Sequence, residues 1–157
     1  MLKLGGEPVR TYEIYLINEE VAFIYYGFEG KLFHLFKEHH EAVTPLKDIT
    51  KRQVSYIQKS YDYLELNAWL IRRFNNQKGY KNERWVHTFI SDNEESQAVL
   101  TVQKEKLTIK SRGTFEAETR FFDTLKEFDD FFLAVDYDRE KYGWLRPLKS
   151  LRIVEQG

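Results

Sequence analysis

The chain has 157 residues, of which 42% are apolar, 31% charged and 16% aromatic, a length that suits a single hydrophobic core. Its 24 Lys and Arg nearly balance 25 Asp and Glu, for a formal charge of −1, so the basic excess that binding to nucleic-acid phosphates demands is missing. With no cysteine, disulfides, thiol nucleophiles and thiolate metal sites are excluded. The longest apolar runs, 21–26 and 131–135, are far shorter than the roughly 20 residues of a membrane helix, and the opening residues lack the apolar stretch of a signal peptide. The expectation is a soluble cytoplasmic protein that contacts neither membrane nor nucleic acid.

In chain order, residues 1–10 read as a loose lead-in, because Gly5, Gly6 and Pro8 weaken regular pairing, and residues 11–157 read as one domain. Tyr12, Ile14, Tyr15, Leu16 and Ile17 make 12–17 apolar on both faces, the pattern of a strand inside a covered sheet. Asn18 offers an N-cap with Glu19 and Glu20 in the first turn, predicting a helix over 19–26 that stops at Gly27. A second helix is predicted over 31–41, with Leu32, Leu35 and Phe36 at core spacing and Pro45 ending the segment. Thr50 is read as the cap of a short third helix containing Gln53, Val54 and Ile57. Over 62–74, Leu66, Leu70 and Phe74 recur every four residues and predict a fourth, ended by Asn75 and Asn76.

The stretch 77–96 carries the weakest pattern; within it 85–90 reads as a strand between polar loops. Residues 98–104 and 106–112 alternate apolar with polar side chains, a hairpin with one wet face, which Gly113 closes. Phe121, Phe122, Leu125 and Phe128 give helical spacing over 115–128, and 131–137 reads as a buried strand. The tail 141–147 is expected to pack back onto the body. The predicted fold class is α/β, mixed and α+β-like: a single domain with a central mixed β-sheet packed by helices.

Catalytic constellations are sparse. His34, His39 and His40 lack the spacing of three or four that would bring two of them to one helix face, so they read as residues of a solvated helix end rather than metal ligands. Asp136 and Asp138 flank Tyr137 at a strand end and could serve a small ligand-binding or enzymatic α/β domain, but no histidine, lysine or glycine-rich loop completes a site there. Lys104, Lys106, Lys110 and Arg112 form a basic run without interleaved aromatics, as a wet sheet face does. No Walker loop, Rossmann glycine run, G-x-S-x-G or H-E-x-x-H motif is present, and no cofactor is expected.

The first predicted helix is different. Val21, Ala22, Phe23, Ile24, Tyr25 and Tyr26 at about 100° per residue cover the whole helix circumference. A helix lying on a sheet buries only part of its surface, so either other helices cover the remainder or a patch faces a partner protein.

Tyr15, Leu16 and Ile17, Glu19 and Glu20, Tyr25, Tyr26 and Gly27, then Thr50, Gln53, Tyr56 and Ile57, resemble the SirA family of sporulation inhibitors of replication. The C-terminal third follows the same pattern through Ala117, Glu118, Thr119, Phe121, Phe122, Phe132, Leu133, Ala134, Tyr142, Gly143, Trp144, Leu145, Pro147 and Lys149. An ordered series over most of the chain is more specific than any one of its pieces. The resemblance implies a non-enzymatic cytoplasmic inhibitor that binds the N-terminal domain of the replication initiator DnaA during sporulation. It also implies contact through the first helix and the start of the third, which by position places Val21, Tyr25 and Gln53 at the interface. Val21 and Tyr25 share one helical stripe, which leaves Ala22 and Tyr26 to face the core. The family pattern carries phenylalanine where Val21 stands; the smaller side chain buries less area, a loss on the order of 1 to 2 kcal/mol.

Overall fold

The computed structural model describes residues 8–148. The loose lead-in expected over 1–10 falls largely outside these described residues. At its end Arg10 already belongs to a strand, paired with Ser111, and its guanidinium is buried against the Glu118 carboxylate and donates to the Thr114 carbonyl.

The elements run β1 (Arg10–Leu16), α1 (Glu19–Ile24), α2 (Glu29–Glu41), α3 (Leu46–Ile57), α4 (Tyr63–Phe74), β2 (Tyr80–Glu83), β3 (Val86–Ile90), β4 (Ser96–Val102), β5 (Leu107–Gly113), α5 (Glu116–Phe128), β6 (Phe132–Asp136) and β7 (Lys141–Trp144). The strands form one sheet in the order β2-β3-β4-β5-β1-β6-β7. The helix-packed α/β domain with a central sheet is thus what forms. All pairings are antiparallel, which narrows the mixed sheet expected: short hairpins join β2 through β5 and β6 to β7, and β1 runs opposite to both β5 and β6.

β1 lies inside the sheet, paired to β5 on one side and β6 on the other. Its alternate side chains enter two different cores. Ile14 and Leu16 join Leu100, Leu107, Ile109 and Phe132 under α4 and α5, where Leu66, Leu70, Phe74, Phe121 and Leu125 are buried. Tyr15 and Ile17 join Leu133 and Val135 on the opposite face, covered by Ala22 of α1, Leu32, Phe33 and Phe36 of α2, and Val54 and Ile57 of α3. This double cover explains why 12–17 is apolar on both sides.

Three local expectations are corrected. Pro45 does not close the second helix; it stands at the N-cap of α3, where its fixed φ is already helical. Thr50 is therefore an interior residue of α3, buried, with its hydroxyl donating to the Lys47 carbonyl at 3.1 Å and accepting from His39 Nδ1 at 2.8 Å. Tyr26 does not face the core: α1 ends at Ile24, and the turn that follows leaves the Tyr26 ring exposed. Two strands escaped the sequence reading. β2 lies in the polar loop region, and β7 is the form in which the tail packs back, on the free edge of β6.

Candidate partner-binding surface

The surface carried by α1 and α3 begins with a cap. Asn18 Oδ1 accepts the Glu20 amide at 2.9 Å, and Glu19 and Glu20 occupy the first turn, where the positive end of the helix dipole favours them. The same residue ties α1 to α3: the Asn18 amide donates to the Ile57 carbonyl at 2.9 Å, and the Lys59 amide to the Leu16 carbonyl at 2.9 Å. An isolated bridge between Ile17 and Gln58 completes the junction. The start of α1 and the end of α3 are consequently locked together by backbone hydrogen bonds.

On α1 the all-round apolar character is divided. Ala22 is fully buried, and the Phe23 ring meets Phe131 edge-on with centroids 5.7 Å apart. Val21 and Tyr25 are half-buried and pack against the cluster that holds Val54 and Ile57 of α3. The Tyr25 amide still donates to the Val21 carbonyl at 3.0 Å, so the two share the stripe expected of them. Ile24 is 71% exposed and Phe28 63%. Gly27, at φ +84°, turns the chain between α1 and α2 in a conformation that side-chain-bearing residues rarely adopt.

Gln53 is exposed on α3, one turn before Ile57. Its buried neighbours Thr50, Val54 and Ile57 face α2 and the sheet, whereas Leu46, Ile49 and Tyr56 are exposed apolar residues spaced to fall on the Gln53 stripe. The fold therefore brings Val21 and Tyr25 next to the helix that carries Gln53. It also exposes Ile24 and Tyr56, named from the sequence only within the apolar helix and the family pattern, and Ile49, which the sequence reading did not single out although the spacing of 49, 53 and 56 was available to it. Behind α3, burial together with Lys47, Lys106 and Lys51 holds His39 below the usual imidazole range.

The rival constellation looks different once folded. A groove of about 340 Å³ runs past Asp136, Tyr142 and Trp144. Asp136 is buried, however, and accepts from the Arg139 amide at 3.1 Å while its other oxygen lies 3.7 Å from the Arg139 guanidinium. Asp138 is exposed and does not line that groove. Asp136 thus braces its turn, and the two carboxylates do not share one site. The histidines are dispersed too: His39 binds Thr50, and the His40 ring stacks on Tyr137. Among the described residues no group of three or more His, Asp or Glu is placed to hold a metal ion, and no helix is long and apolar enough to cross a membrane.

Comparison with known proteins gives two findings. A family model described as "Sporulation inhibitor of replication protein SirA" matches residues 10–149. The sporulation inhibitor of replication protein SirA of Bacillus subtilis (strain 168) is 30% identical over 147 residues, covering 92% of this chain and 99% of that protein.

Proposed function

The chain belongs to the SirA family of sporulation inhibitors of replication, and on that premise we propose that it acts by stoichiometric docking onto the N-terminal domain of the initiator DnaA. In this reading the protein works in the cytoplasm without turnover or cofactor. It occupies a DnaA surface that otherwise promotes ordered assembly at the replication origin.

The observation that carries the reading is the division of α1. Its buried side anchors it to the core, while Val21 and Tyr25 keep a water-facing rim beside the exposed Ile24 and, across the hydrogen-bonded junction, the exposed Gln53. Patches of this kind are what specific interfaces cover, and roughly 1,000 to 1,600 Å² is enough for a reversible regulator. Tyr25 supplies an amphipathic anchor with few rotamers to freeze, and the Gln53 amide can both donate and accept.

The test is isothermal calorimetry of the purified chain against the DnaA N-terminal domain. Saturable one-to-one binding is expected, weakened by about 2 kcal/mol in Tyr25→Ala, whose melting temperature falls modestly because the ring also packs on the core while the far-UV ellipticity of the fold is retained. No heat of binding with the native chain would refute the reading. A thermal-shift screen with nucleotides and divalent metals addresses the rival: a rise of several degrees would favour a ligand-binding domain instead.

A further inference from the structure

Because Val21 and Tyr25 already bury part of their surface in the core, a partner can cover only what remains of each. The larger free area lies on α3, where Ile49 is 48% and Tyr56 84% exposed. Positions 49, 52, 53 and 56 follow i, i+3, i+4, i+7, so Arg52 and Gln53 sit between these two apolar residues on one face of the helix. Arg52 is exposed and makes no ion pair or hydrogen bond among the described residues, although Asp48 stands one turn earlier. α3 as a whole carries Lys47, Lys51 and Arg52 against Asp48 alone.

We propose, resting on the docking surface described above, that Arg52 is a specificity-determining contact of this face and that the DnaA surface meeting it is an apolar patch bearing a carboxylate. The physical reason is desolvation. When Ile49 and Tyr56 are covered, water leaves the guanidinium between them, and a cation stripped of water opposes docking unless a counter-charge replaces it. A planar guanidinium satisfies a carboxylate with two parallel N–H donors, a geometry that an ammonium cannot copy. Lys51 adds a field of the same sign, which speeds encounter with an acidic patch and disfavours a basic one.

The experiment is calorimetry of the full chain against the DnaA N-terminal domain at low and moderate salt, using native protein, Arg52→Lys, Arg52→Glu and Tyr25→Ala. Because Arg52 is exposed, unchanged melting temperatures are expected for its variants. Arg52→Glu should bind about 30-fold more weakly or worse, and Arg52→Lys several-fold more weakly through loss of the paired donors. Native affinity should fall with salt more steeply than that of Arg52→Glu. If Arg52→Glu stays within about twofold of native while Tyr25→Ala is weakened, the role of Arg52 is refuted and the docking surface stands. If both variants match native, or native does not bind, the surface itself falls and this inference with it.

Discussion

At the scale of single residues, His87 shows how burial writes a pH dependence into the fold. Its ring on β3 is completely buried. Nε2–H donates to Asn67 Oδ1 at 2.7 Å, the Asn67 amide nitrogen being committed to the Arg84 carbonyl, and Nδ1 accepts from the Tyr80 hydroxyl at 2.7 Å. This network requires neutral imidazole, and burial pushes the His87 pKa down to about 4 from an ordinary 6.5. The unfolded chain therefore binds the proton more readily, so stability is complete above about pH 6.5 and declines as pH falls toward 4. Between pH 7 and pH 5 the loss is on the order of 2 kcal/mol, measurable as a drop in urea midpoint. The same acidification should affect His87→Gln distinctly less; equal losses would place the titrating group elsewhere. At the proposed docking face the residue scale was legible in part. The i, i+4 relation of Val21 and Tyr25 is local and visible in the sequence, whereas the exposure of Tyr56 depends on which side of α3 the sheet and α2 cover.

At the scale of elements, legibility follows how local the stabilising pattern is. α4 was readable because Asp62, whose carboxylate caps the Leu64 and Glu65 amides, and the Leu66, Leu70 and Phe74 stripe all lie within one segment. β2 was not, since Tyr80, Lys81, Asn82 and Glu83 have no strand-like alternation and are extended by their pairing with β3. The passage from β5 into α5 is set by Gly113. At φ +80° a Cβ there would lie 1.9 Å from the Glu95 carbonyl oxygen, a backbone atom tied down by its bond from the Thr114 amide. Gly113→Ala is expected to destabilise by several kcal/mol, well beyond the roughly 1 kcal/mol of an ordinary glycine change. A chemical-denaturation midpoint within error of native would show that this junction has another way to turn.

At the scale of the whole molecule, the two cores lie on opposite faces of one sheet and share β1 and β6, so neither can be lost alone. Phe36 of α2 is buried on one face and Phe74 of α4 on the other. Each replacement by alanine should cost about 3 to 5 kcal/mol, and both variants should unfold in a single transition detected alike by far-UV ellipticity and tryptophan fluorescence. Two separated transitions in either variant would mean that the layers fold independently. The sequence by itself determined the elements with strong periodicity, the two-sided burial of the first and last core strands and the family, because hydrophobic spacing and capping are properties of contiguous residues. Only the tertiary structure decided which apolar side chains stay in water. Ile24, Ile49 and Tyr56 are hydrophobic in sequence like Ala22, Val54 and Ile57, and what separates them is which side of each helix the sheet and α2 cover, a relation between elements distant in the chain that no local spacing encodes.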